Sequence, residues 1–244
     1  MDKAYKILAT QQNISNREAK NLLDSGLVSF GGKKIRASDL ISPKSSLKVM
    51  KTDAIEVLFR DENILAINKP NALDCGILEK KFSGFALLHR LDKPTSGVLL
   101  MAKKDSDFYA KALAEFKNCA VHKEYLALVS GIIAESIVID KPILTIKKGG
   151  IAKSVIDFKR GKSAISEVTP LKIYGKKTLV KVIIKTGRTH QIRAHLQSAK
   201  HPILGDNSYG GENYARLMLH AHKIGILGYE FCAEKGNFWK FLAE

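Results

Sequence analysis

Apolar positions in the first fifth of the chain recur every three or four residues and later give way to alternation, so helices are predicted first and strands afterwards. Ala4, Ile7 and Leu8 share one face of a helix over roughly residues 3–11. In Ser15-Asn16-Arg17-Glu18 the hydroxyl can accept the backbone N–H of Glu18 while the carboxylate reaches back to Ser15, a capping box that opens a second helix at about Asn16. Ala19, Leu22 and Leu23 continue it on one face, Arg17 and Lys20 lie off that face, and Gly26 is the expected stop. "LVSFGGKKI" then reads as a hairpin turning at Gly31-Gly32, with Lys33, Lys34 and Arg36 beside it.

Beyond Pro43 and Lys44-Ser45-Ser46 the period shortens. "IEVLFR" and "ILAINKP" are β-prone runs joined by the turn residues Asp61-Glu62-Asn63. "SDFYAKALAEFKN" is helical, with Phe108, Ala112, Leu113 and Phe116 on its expected buried face. "VHKEYLALVSG" alternates as a strand, Tyr125, Ala127 and Val129 opposing Glu124, Leu126 and Leu128. Residues 135–146, 163–173 and 178–186 read as extended, the last two joined by "YGKK", and a helix capped by Thr189 would bury Ile192, Leu196 and Ala199. Strands outnumber helices without alternating strictly with them, so the expected class is α+β with a mixed, mainly antiparallel sheet. No internal repeat or low-complexity tract interrupts it.

At 244 residues and 45% apolar the chain can bury a real core, as one large domain or a large one with a small one. No window is apolar enough to span a bilayer and the N-terminus lacks a signal peptide's apolar core, so a cytoplasmic protein without membrane association is expected. Cys75, Cys119 and Cys232 are widely spaced and form no CxxC pair, which argues against a disulfide framework or a zinc knuckle. The net charge of +16 favours a polyanionic partner, nucleic acid first, over a small neutral ligand. Residues 1–51 carry ten basic and four acidic side chains, a denser surplus than in the remainder.

Two polar runs stand out against the apolar pattern. In "LLHRLDKPTSGVLLMAK", residues 87–103, Asp92 precedes a Pro-Thr-Ser turn between two aliphatic runs. Its carboxylate either caps that turn by accepting the N–H of Thr95 or Ser96, or is held in a cleft for chemistry. In "TGRTHQIRAHLQSAKHPILGD", residues 186–206, Arg193 flanks the buried face of a helix, where a guanidinium requires an anionic partner. His190 and His195 lie five apart, on different sides of that helix, which argues against a metal pair and leaves them as hydrogen-bonded structural or RNA-contacting groups.

Taken together, "HRLDKPTSGVLLMAK", "KEYLALVSG" and "GRTHQIRAHLQSAKHPILGD" resemble the signature motifs of the RluA-type pseudouridine synthases, in the family's order, with "LAINKP" and "LMLHAHKIG" extending the likeness over residues 55–225. Residues 1–50 resemble the S4 RNA-binding domain, which often precedes this catalytic domain. The division implied is a small α/β S4-like domain over residues 1–50 and a catalytic domain over 51–244. The resemblance implies isomerisation of uridine in structured RNA, with no cofactor and no metal, and a monomer is expected. Ribosomal RNA of the large subunit is the expected substrate and transfer RNA the alternative. A catalytically silent assembly factor is a rival reading, and an RNA glycosidase is disfavoured because no second carboxylate motif is present. By position, Asp92 is the implied catalytic aspartate, Tyr125 the aromatic that stacks on the flipped uracil, Arg193 the partner of the aspartate and Arg90 the residue that evicts the base. Arg188, Lys69 and Lys123 are implied phosphate contacts, joined in the S4-like segment by Arg17, Lys20, Lys33, Lys34 and Arg36. A guanidinium beside Asp92 would keep it ionised in a dry pocket, and Tyr125 would replace the stacking that the flipped base loses. Two stretches depart from the family pattern: "NALDCGILEKK" alters the approach to the catalytic loop, and Leu219-His220-Ala221 lacks a following His-Pro and reads as core packing.

Overall fold

A computed structural model describes residues 1–24, 28–49, 55–149, 151–234 and Phe238; the side chains of Lys33, Lys34 and Ile151 lie outside the description. The N-terminal segment comprises β1 (Asp2–Lys3), α1 (Ala4–Gln12), α2 (Asn16–Asp24), β2 (Val28–Phe30), β3 (Lys33–Lys34), β4 (Leu40–Ile41) and β5 (Lys48–Val49). The N–H of Glu18 donates to Ser15 Oγ at 3.1 Å, so the predicted N-terminus of α2 stands. Gly26, the expected stop, lies outside the described residues. Ala4, Ile7, Leu8, Ala19, Leu23, Val28, Ile41 and Leu47 close a small core made only of this segment.

The larger part of the chain runs β6 (Glu56–Arg60), β7 (Ile64–Lys69), α3 (Cys75–Lys81), β8 (Phe85–Leu87), β9 (Ser96–Lys103), α4 (Asp107–Lys117) and β10 (His122–Ser130). It continues through β11 (Ile137–Asp140), β12 (Ile143–Lys148), β13 (Ile151–Ile156), β14 (Ile165–Tyr174), β15 (Lys177–Ile184), α5 (Gln191–Ser198), β16 (Leu219–Ile226) and β17 (Tyr229–Cys232). One sheet organises these elements in the order β11-β14-β15-β10-β16-β9-β7-β6, with β17 added on β16 and β8 on β9. Its pairings are antiparallel apart from β16 against β9, as the mainly antiparallel α+β reading expects. Asp61 makes the β6–β7 turn by accepting the N–H groups of Asn63 and Ile64 at 2.8 and 2.7 Å.

The runs "ILAI" and "GVLLMA" are continuous because both faces of β7 and β9 are covered. Ile64, Ala66, Val98, Leu100 and Ala102 face one core, while Leu65, Ile67, Leu99 and Met101 face another. A third core gathers β10, β15 and the start of β16 under Ile192 and Leu196 of α5.

Three local expectations are corrected, and one departing stretch is given a structure. Residues 135–146 do not form one strand: the chain breaks at Lys141-Pro142, and β12 pairs with β13 in a separate two-stranded hairpin. Leu113 of α4 is 38% exposed, leaving Ala112 as the buried residue with Phe108 and Phe116 packed alongside. "NALDCGILEKK", the stretch that departs from the family pattern and for which no element was predicted, contains α3, whose N-cap Asp74 accepts the N–H of Gly76 at 2.8 Å. The N-cap of α5 is His190 in a left-handed conformation (φ 51°), not Thr189, and the whole run from Gln191 to Leu196 is buried.

The single parallel junction depends on Gly97. Its backbone has φ +111°, and a Cβ there would sit 2.1 Å from the carbonyl oxygen of Ala221. Contact this close holds the end of the Asp92 loop against β16. We therefore expect Gly97→Ala to lower stability by at least about 2 kcal/mol, from left-handed strain and backbone collision together. Urea unfolding checks this, and an unchanged midpoint would refute the role given to the close approach.

Candidate active site

Four strands bring the site together laterally. Gly97 of β9 pairs with Ala221 of β16, Ala221 with Tyr125 of β10, and Tyr125 with Val182 of β15. The β10–β16 register shifts at Glu124/Tyr125, a bulge that re-aims the strand where the tyrosine enters the pocket. Leu91, Ile184 and Leu219 supply apolar walls, and Arg90, Asp92, Tyr125, Arg188, His190 and Arg193 the polar ones. The pocket encloses about 460 Å³ including its mouth. Asp92 is its only carboxylate among the described residues.

The capped-turn reading of Asp92 can now be set aside. Thr95 donates its N–H to the backbone carbonyl of Asp92 at 2.9 Å, so the turn closes through the main chain and the side chain is spared. Arg193 Nη1 donates to Asp92 Oδ2 at 3.1 Å, while Nε and Nη2 of the same guanidinium fork onto Asp206 at 2.7 and 2.8 Å. Arg193 and Asp206 are buried, whereas the Asp92 side chain is 24% exposed. Burial pulls the Arg193 pKa down, yet hydrogen bonding and charge from Asp206, with Asp92 adding to them, push it above its ordinary value. Asp92 Oδ1 carries no hydrogen bond within the described residues.

Asp206 is the anionic partner that the sequence reading did not name. It lies in "HPILGDNSYGG", whose Gly205 and Gly211 permit backbone approaches that a Cβ would block at 1.9 Å, against Arg216 O and Ile203 O respectively. Glycines flanking an acid were the available signal. The same segment places Tyr209, whose ring lies 4.8 Å beneath the Arg193 guanidinium.

Tyr125 is partly buried, and desolvation, then the Asp92 charge, raise its pKa, so its hydroxyl stays protonated. Arg90 is exposed at the rim. Arg188 is half-buried beside it and fixed by an Nε–H bond to Ser163 O at 3.0 Å. His89 of the same motif is structural: its Nε2 accepts the N–H of Leu100 at 3.1 Å, it stacks on Phe116, and burial lowers its pKa to about 3. His195 is fully buried between Ser166 Oγ and Lys141 O, each at 2.9 Å. His220 bonds Ser96 Oγ and Ala233 O at 2.7 and 2.8 Å, in keeping with core packing behind the pocket.

Two expected phosphate contacts are placed elsewhere. Lys69 is fully buried, and its ammonium donates to the carbonyls of Pro70, Leu73 and Lys93 at 3.0, 2.9 and 3.1 Å. Desolvation lowers its pKa to about 8, and its role is to tie the segment before α3 to the Asp92 loop. Cys75 adds to that brace through Leu91 O at 3.3 Å. Lys123 is buried with its ammonium on Lys185 O at 3.0 Å. The three N–H donors of Lys69 are all taken by carbonyls, so it cannot present its charge to a phosphate without breaking these bonds. Arg17, Lys20 and Arg36 of the N-terminal segment are not buried, and the Lys20 ammonium lies 4.4 Å over the Tyr5 ring. The side chains of Lys33 and Lys34 lie outside the description.

A cationic surface close to the pocket was not anticipated. Lys147, Lys148 and Lys153 on the β12–β13 hairpin, with Lys159, Arg160 and Lys162 in the turn after it, are all exposed, and Asp157 is the one acid among them. Within the described residues no group of three or more His, Cys, Asp or Glu side chains could hold a metal, and no helix is long and apolar enough to cross a membrane. All three cysteines are free.

Comparison with known proteins places the chain in a family. Residues 45–198 match the family model described as RNA pseudouridylate synthase. An uncharacterized RNA pseudouridine synthase of Helicobacter pylori is 54% identical over 234 residues, covering 95% of this chain and 96% of the relative. Ribosomal large subunit pseudouridine synthase C of Buchnera aphidicola is 36% identical over 188 residues, covering 70% of this chain and 59% of that one. The solved structure of human RNA pseudouridylate synthase domain containing 1 superposes with a TM-score of 0.66 at 29% identity, over 75% of this chain and 84% of that one. The chain belongs to the RNA pseudouridylate synthase family. It is an isomerase that converts uridine to pseudouridine in RNA.

Removing Asp206 would leave a buried guanidinium held by Asp92 alone. Asp206→Ala is therefore expected to cost about 3–5 kcal/mol of stability and to reduce turnover sharply even though the residue does not line the pocket. Chemical unfolding and single-turnover kinetics check both effects, and a variant of normal stability and rate would show that the fork is dispensable.

Proposed function

We propose that the chain modifies specific uridines of large-subunit ribosomal RNA, with Asp92 as the reacting carboxylate. The carrying observation is that Asp92 is held by one oxygen, Oδ2, and presents the other to a pocket that also contains Tyr125. Isomerisation breaks the bond from N1 to the ribose C1′, turns the base and forms the bond from C5 to C1′; the C5 proton is lost and N1 gains one. No water is added, so one carboxylate suffices where a glycosidase needs a second to activate water. In this reading Arg90 evicts the target base, Tyr125 restores its stacking, and Arg188 meets phosphate at the rim.

Relatives named as ribosomal large subunit synthases support the choice of ribosomal RNA over transfer RNA. Residues 1–50 act as an S4-like RNA-binding unit in this account, supported by their own small core and by exposed Arg17 and Lys20. The hairpin cations provide a second, salt-dependent hold on phosphate.

The test incubates ribosomal RNA with the purified protein and maps pseudouridine by sequencing. Wild type should modify discrete large-subunit positions. Asp92→Ala should modify none while still binding the RNA, and combined Arg17→Glu, Lys20→Glu and Arg36→Glu should weaken binding and blur site choice. Full modification by Asp92→Ala, or modification of transfer RNA alone, would overturn the corresponding part.

A further inference from the structure

Beside Asp92 a second chain of hydrogen bonds leads away from the fork. The N–H of Ser154 in β13 donates to the Tyr209 hydroxyl oxygen at 2.8 Å, and that oxygen lies 2.9 Å from His190 Nδ1. His190 Nε2 in turn lies 3.7 Å from Asp92 Oδ2, the oxygen already bonded to Arg193. The arrangement is built: His190 is the left-handed N-cap of α5, its carbonyl accepts the N–H of Ala194 at 2.9 Å, and Ser154 Oγ holds the preceding residue through Thr189 O at 2.6 Å.

Proton placement follows from donor and acceptor rules. The tyrosine oxygen already accepts from Ser154, and its own proton points to best effect at the in-plane lone pair of Nδ1. That choice leaves the neutral imidazole protonated at Nε2, the nitrogen that faces a carboxylate. The opposite tautomer would turn an imidazole lone pair toward Oδ2 and repel it. Both ends of the ring therefore select the same form, and burial together with nearby Arg193 favours the neutral ring over its charged form, against the pull of Asp92.

We propose that His190 is a positioning residue of the isomerisation: its Nε2–H, fixed by the Tyr209–Ser154 relay, shares Asp92 Oδ2 with Arg193 and so dedicates Oδ1 to the substrate. This role rests on Asp92 being the reacting group. At 3.7 Å the N–H group is beyond hydrogen-bond distance in this structure, and the proposed role requires that RNA binding bring Nε2 within reach of Oδ2.

Three variants separate the role from a purely structural one. Asn tolerates the left-handed backbone and can still meet Tyr209, but its amide stops short of Asp92; Gln reaches the position of Nε2. His190→Asn should reduce kcat about tenfold to a hundredfold, the worth of a hydrogen bond to a charged group, with KM for RNA little changed, and His190→Gln should recover part of the loss. In ¹⁵N-histidine-labelled wild type, proton–nitrogen correlation should show the Nε2–H tautomer, and Tyr209→Phe should weaken that preference, leaving only the Asp92 end to select it. An Nδ1–H tautomer in wild type overturns the inference, as does full kcat in His190→Asn while Asp92→Ala is inactive. Full activity in Asp92→Ala overturns the underlying reading instead.

Discussion

A guanidinium buried between two carboxylates is the constraint on which the site depends. Taking Arg193 out of water costs several kcal/mol unless its charge is met by well-placed acceptors. Asp206, 2% exposed, meets it with two bonds, so Asp92 can remain partly open to the pocket and give up only one oxygen. The glycines that let the Asp206 segment pass against Arg216 and Ile203 are thus part of the active-site machinery although none touches the pocket. On the other side, the buried Lys69 and Cys75 fix the loop that carries Asp92.

Much of the fold was legible because its signals are local. The capping hydroxyl of Ser15, the Asp61 turn and the helical spacing of α4 and α5 each follow from neighbouring residues. What failed involved longer range. The break of the predicted 135–146 strand and the β12–β13 hairpin depend on contacts across Lys141-Pro142, where Asp157 N–H bonds Pro142 O at 3.1 Å. Leu113 has a helical spacing suited to burial, but among the described residues the neighbouring elements leave it 38% exposed.

The candidate site divides in the same way. Asp92, Tyr125 and Arg193 were recoverable because their motifs are short and their meeting is prescribed by family resemblance. The burial of Lys69 and Lys123 was not legible because sequence gives the charge of a lysine but not whether carbonyls have claimed it. Asp206 and Tyr209 were missed since their partners lie on α5, across a turn whose path only the folded backbone reveals. The hairpin unites both aspects: its Ser154 backbone orders the inner relay, while its exposed lysines turn toward solvent where an RNA backbone could run.

The central claim is that the forked shape of Arg193, more than its charge, prepares Asp92. Release of tritium from RNA carrying uridine labelled at C5, followed in a single turnover with Arg193→Lys, tests it most directly. Lysine keeps the charge but cannot hold Asp206 with two donors and Asp92 with a third in one plane. The account predicts a fall of at least about a hundredfold in release rate with RNA affinity preserved. Release at the wild-type rate would contradict it.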